Sequence, residues 1–170
     1  AAPSATFNYH DGDLLLGFSS KSLANEYVIN LGQAYNLPSG NLSLGDVGTD
    51  LVATFGANWY TLSDLYWGAF ASANYGAVGS DPQYTIYATK RTGLAALTTD
   101  ADSAQAGSAI KVYSVGNALN GKTTTANSTL AVIEDKTVAN SYSSKQNASR
   151  TLTLAAYSYS EGTFAGHGWR

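Results

Sequence analysis

The segment ATFNY (Ala5 to Tyr9) alternates apolar and polar positions through Phe7 and Tyr9, the period-two pattern of a strand with one packed face. DLLLGF (Asp13 to Phe18) is continuously apolar instead, as a strand reads when layers cover both of its faces. NEYVINL (Asn25 to Leu31) follows the polar SSKSLA closely enough to pair with it as a hairpin. Further on, Val47, Leu51 and Phe55 recur every four residues, which predicts a short helix with Asp46 placed to cap its start and Gly56 to end it. DLYWGAFA (Asp64 to Ala71) and QYTIYAT (Gln83 to Thr89) are rich in strand-forming residues, and the Gly, Asn, Ser and Pro cluster from Asn74 to Pro82 separates them as a loop.

From Asp102 to Gln146 the chain turns to Ala, Ser, Asn and Thr, with apolar residues at Val112, Val115 and Leu119, then at Leu130, Ile133, Val138 and Tyr142. This pattern predicts two helices, with Gly121 as the stop between them, although AIKVYSV also reads as a strand. Alternation returns in TLTLAAYSYS (Thr151 to Ser160), and a last short strand is expected after the Glu161–Gly162 turn. The expected fold is a single domain over residues 1–170, mainly β, with antiparallel strands in a β-sandwich or jelly-roll-like arrangement. Residues 1–10 form an N-terminal arm or strand, one short helix lies near Asp46 to Phe55, and a helical pair is inserted over 103–146.

Composition narrows the function. Charged residues make up only 12% of the chain, so Ser, Thr, Asn, Gly and Tyr must supply much of a surface that repels its neighbours weakly. The net charge is −3 and the nine Lys and Arg residues are scattered, which argues against nucleic acid as a partner. Cysteine is absent, which removes disulfides and thiolate chemistry. Methionine is absent too, and AAPSA is the small-residue kind of sequence found after a signal-peptide cut, so the chain reads as exported. No run of about 18 apolar residues suggests a membrane span.

Candidate chemistry begins with YHDGDLLLGF, where His10, Asp11 and Asp13 precede the apolar run. As a calcium loop it fails, because Gly12 stands second and Ser22 last where a sixth glycine and a terminal glutamate are needed. Asp-Gly is ordinary turn chemistry, so the stretch reads as a turn leading into a strand, with no metal and no cofactor expected. His10 and His167 lie at opposite ends of the chain and no serine stands in a nucleophile-elbow pattern, so no catalytic residue is assigned. Asp46 with Asp50, and Asp100 with Asp102, read as capping and solvating groups rather than a paired-carboxylate site. Trp59, Tyr60, Tyr66 and Trp67 are rings of the kind that stack on sugars, of which Trp59 and Tyr60 are the candidates for glycan contact. Asn41, Asn127 and Asn147 each open an N-x-S/T triplet.

DGDLLLGF, NEYVINLGQA, LGDVGTDLVATFGANW, LYWGAFA, YTIYATK and NALNGKTTTANSTL, taken in that order, resemble secreted bacterial proteins of the exosortase-sorted (PEP-CTERM) group, as found in Verrucomicrobia-like bacteria. The resemblance implies export to the cell surface, extracellular matrix or biofilm, and it carries no catalytic residues. The chain departs from that group in stopping at GHGWR without a Pro-Glu-Pro motif, apolar helix and basic tail. The function expected from the sequence is that of a non-enzymatic structural protein whose partner is itself, joined into a filament by strand addition. Thr6, Phe7 and Tyr9 of ATFNYH are the assembly residues on that reading. A surface carbohydrate-binding module, with extracellular polysaccharide as the partner, is the alternative, and a secreted hydrolase the third.

Overall fold

DLLLGF and NEYVINL pair as an antiparallel hairpin, β1 (Asp13–Ser20) and β2 (Asn25–Gln33), in the computed structural model, which describes residues 5–89 and 102–146. Three more strands complete one sheet: β3 (Leu65–Ser72), β4 (Ile86–Ala88) and β5 (Ala131–Asp135), in the order β4-β3-β1-β2-β5 with every pairing antiparallel. β1 is the central strand, which explains its unbroken apolar run. Leu15 points to one layer, while Leu16 and Phe18 point to the other.

The helices supply those layers. α1 (Gly48–Phe55) packs Leu51 and Phe55 against Leu16, Tyr27, Ile29 and Leu65. On the opposite face α2 (Asp102–Leu119) sets Val112, Val115 and Leu119 against Leu15, Val28 and Phe70, and the short α3 (Tyr142–Gln146) adds Tyr142. That ring fits because Gly17 and Gly68 are paired across β1 and β3. A Cβ on Gly17 would lie 2.5 Å from the ring, whose hydroxyl donates to the Gly68 carbonyl at 2.7 Å.

The mainly β fold with helical insertion is present, but among the described residues no second sheet faces the first; helices and connections take that place. The helical pair expected over 103–146 is half right. α2 is a helix, AIKVYSV included, and Gly121 follows its end at φ +85°. Leu130 to Val138 are not helical: Ala131 to Asp135 pair with the edge of β2, and the β-branched Val132 and Ile133 suit that pairing. The spacing of Leu130, Ile133, Val138 and Tyr142 by three, five and four residues imitated a helix, and β2's unpaired main-chain groups outweighed it. ATFNY is no strand of the sheet, since only Thr6 makes an isolated bridge, to Thr123. Asp46 does not cap α1, whose N-cap position is Val47 with no side-chain bond, whereas Gly56 ends it at φ +98°. The expected strands at Thr151 to Ser160 and after Gly162 lie outside the described residues.

Candidate functional site

The arm, residues 5–12, lies across the end of α2 and the turn behind it. Phe7 N–H donates to the Lys122 carbonyl at 2.8 Å, Gly121 N–H to the Phe7 carbonyl at 3.1 Å, and Thr124 N–H to the Ala5 carbonyl at 2.8 Å. Asn120 accepts from Tyr9 N–H at 2.6 Å and donates to the Tyr9 carbonyl at 3.3 Å. Two of the three predicted assembly residues are anchors here: Phe7 and Tyr9 are buried, and Thr6 is exposed. The Tyr9 ring rests on Gly116 of α2, where any Cβ would collide with it. Its hydroxyl is buried without a hydrogen-bond partner among the described residues, and burial, with the charges of Asp11 and Asp13 adding to it, pushes the phenol pKa up. An orphaned hydroxyl of this kind costs about 1–3 kcal/mol, so the seat is imperfect.

The arm ends in the polar lead-in to β1. Gly12 takes φ +91°, the left-handed conformation that favours glycine at a turn. The Asp11 carboxylate accepts from Asn74 N–H at 3.0 Å and Tyr75 N–H at 2.8 Å, tying the turn to the loop after β3. Asp13 is buried and accepts from His10 N–H at 2.9 Å, Asn30 Nδ2 at 2.8 Å and Gln33 Nε2 at 2.6 Å. Asn30 also donates to the Asn8 carbonyl at 2.8 Å, so one network pins the arm to the hairpin. A cleft of about 500 Å³ opens beside it, lined by Asn8, His10, Asp13, Gly32 and Gln33 among others. The His10 ring is exposed at its rim, with Nδ1 3.9 Å from Asp13. Among the described residues no three His, Asp or Glu side chains converge as metal ligands would.

Two further buried acid centres depart from the sequence reading, which took Asp50 for a capping and solvating group and passed over Glu26 and Glu134. On the α1 face, Asp50 accepts from Tyr27 Oη at 2.7 Å, Thr125 Oγ1 at 2.6 Å and Asn127 Nδ2 at 3.2 Å. Burial, together with the bond to Asp50, pushes the Tyr27 phenol pKa up. On the α2 face, Glu26 and Glu134 are direct cross-strand partners in β2 and β5, and both are buried. Glu26 accepts from the N–H groups of Tyr142 at 2.8 Å and Ser143 at 3.1 Å; Lys122 Nζ lies 3.2 Å from Glu134. Burial first, and the Glu134 charge second, push the Glu26 pKa from the ordinary 4.5 up to about 8. A signal existed in the sequence. Glu26 has the same parity as Val28 and Glu134 the same as Val132, so each acid falls on an inward-facing position of its strand.

The glycan candidates Trp59 and Tyr60 are neighbours, in a 3-10 turn at Trp59–Thr61. Their rings meet edge to face, 5.8 Å apart at 89°, with Trp59 half-buried against the α1-side core and Tyr60 55% exposed. Perpendicular rings present no shared flat face, so only Tyr60 offers a surface of its own. Tyr66 and Trp67 are both half-buried in β3. No helix among the described residues is long and apolar enough to cross a membrane. No family model matches the chain, and no curated protein or solved structure is significantly similar to it.

Proposed function

We propose that this chain is a non-enzymatic structural protein of the cell surface or extracellular matrix, a subunit that joins copies of itself by exchanging its N-terminal arm. The observation that carries this reading is the way the arm is held: main-chain bonds to residues 121–124 and two buried aromatic anchors, Phe7 and Tyr9, outside the ladder of the sheet. Strand addition between proteins uses the same elements, with backbone bonds supplying affinity and pockets supplying specificity. The sheet's own edges suit that purpose poorly. β4 has three residues and β5 five, and β5 turns Glu134 inward, a device that discourages edge pairing. The weakly charged surface and the resemblance to exosortase-sorted proteins support a place outside the cell. The acids at the arm also favour a structural role, because Asp11 and Asp13 hold main-chain and amide donors.

An arm that enters the next copy rather than its own body makes a head-to-tail contact, which repeats without closing. The test uses a lock. Thr6 and Thr123 are bridge partners flanked by hydrogen bonds on both sides, an arrangement that brings Cα atoms to about 4.5 Å and suits a disulfide. The chain has no cysteine, so Thr6→Cys with Thr123→Cys introduces a single pair. Light scattering and electron microscopy of the concentrated protein should show polymers when the pair is reduced. Monomers should be found when it was oxidised at high dilution beforehand; polymers of equal length in both states contradict arm exchange.

A further inference from the structure

We propose that Glu26 and Glu134 form a proton-binding site, a carboxyl pair that holds one proton between two strands and, while it does so, keeps β5 on the edge of β2. The chain contains three glutamates, Glu26, Glu134 and Glu161, and two of them face each other here. Both are buried, Glu26 at 0% exposure and Glu134 at 8%. Two carboxylates in such a place repel without water to screen them, and one proton removes the repulsion while supplying a hydrogen bond. An orphan atom points to that proton. Glu134 Oε1 is buried with no hydrogen-bond partner among the described groups, and a protonated Glu26 shares a side-chain hydrogen bond with Glu134.

The neighbours decide which partner keeps the proton. Lys122 Nζ lies 3.2 Å from Glu134 Oε2, which sets a positive charge on the Glu134 side of the pair. The amide bond from Ser143 pulls the Glu26 pKa down, but less than burial and the Glu134 charge raise it. The other charged groups on the surrounding elements are engaged or peripheral. Lys136 donates to the Ser20 and Lys21 carbonyls, and exposed Asp135 accepts from Thr137. Lys145 stands in the last turn of α3, and Lys111 lies on α2. On β1, Ser19 Oγ meets Ser143 Oγ at 2.7 Å, and Tyr142 Oη is bonded to Gly68. The proton thus sits between β5 and the two amides that begin α3. The same Lys122 offers its carbonyl to Phe7, so the pair also touches the arm's seat.

The sign follows from linkage. A carboxyl whose pKa is raised on folding binds its proton more tightly in the folded chain. Its contribution to stability is therefore full below the ordinary 4.5 and is lost as pH rises to about 8. Above that the pair has lost its shared proton, and repulsion across the Glu26–Glu134 contact loosens the pairing of β2 with β5. This holds whether or not the arm exchanges between copies.

The test labels the glutamate carboxyl carbons of the full chain and follows their three NMR signals from pH 3 to 10, with Glu26→Gln and Glu134→Gln for assignment. The proposal expects one signal of the pair to titrate near pH 8, and expects that midpoint to fall toward the ordinary range in Glu134→Gln. Amide exchange at the paired residues of β2 and β5, corrected for its intrinsic pH dependence, should quicken about tenfold or more from pH 6 to 9 in the native chain and stay level in Glu26→Gln. Three titrations in the ordinary glutamate range, about 4 to 5, overturn the shared proton. Unchanged amide protection across the titration overturns the proton's hold on the β2–β5 pairing. Should Glu26→Gln fail to fold, the native chain and Glu134→Gln decide both points.

Discussion

On the α1 face of the sheet Asp50 is surrounded by three donors from Tyr27, Thr125 and Asn127, whereas on the α2 face Glu26 is turned toward a second carboxyl group. The two centres do different work with the same functional group. Asp50 draws in the connection between α2 and β5, and its three donors are neutral groups that do not compete with it for the site. Glu26 draws in α3 through two amides, but its opposite neighbour, Glu134, competes for the same role. One face therefore carries a lone acid fixed among neutral donors, and the other carries an acid pair. Both lie near the arm: Thr125 and Lys122 flank the bridge at Thr123.

The comparison breaks most readily at its fixed end. Asp50→Ala strands the buried Tyr27 hydroxyl and the half-buried Thr125 hydroxyl and should cost about 3–5 kcal/mol by urea denaturation. A loss below about 1 kcal/mol would show that Asp50 does not organise the α1 face. The native chain should then lose stability on the order of 3 kcal/mol between pH 4.5 and 8, a slope that Glu26→Gln flattens and Asp50→Ala leaves in place. Parallel profiles for the native chain and Glu26→Gln would erase the distinction between the faces. Next in size, Gly17→Ala forces a Cβ into the Tyr142 ring and should cost about 1–3 kcal/mol. Near-ultraviolet circular dichroism should report the displaced ring, and an unchanged spectrum would mean that the Gly17–Gly68 notch does not seat α3. Tyr60→Ala, on an exposed ring of the α1 face, should change stability by less than about 0.5 kcal/mol. A loss of binding to a glycan array with stability intact would favour the polysaccharide reading over self-assembly.

Much of the sheet was legible because local pattern and tertiary role agree there. β1 reads as a doubly covered strand and is one, and Gly56 and Gly121 end helices where their positions suggest it. β5 was not legible, because Leu130, Ile133 and Val138 are spaced as on a helix, and only the open edge of β2 decides otherwise. The arm misled in a related way. Its alternation correctly marks Phe7 and Tyr9 as inward, yet their partner is α2 rather than a strand, which periodicity cannot distinguish. The acid centres join residues far apart in sequence, such as Asp50 with Thr125 and Glu26 with Glu134, so only the strand parity of Glu26 and Glu134 hinted at burial.

The most direct measurement mixes isotope-labelled and unlabelled copies of the chain carrying Thr6→Cys and Thr123→Cys, concentrates them reduced, then oxidises and digests them. Mass spectrometry reads which chains each disulfide joins. Arm exchange predicts linked peptides that combine a labelled Thr6→Cys segment with an unlabelled Thr123→Cys segment, in a share that grows with concentration. Linked peptides carrying a single label at every concentration would mean that each arm stays in its own body, contradicting the account.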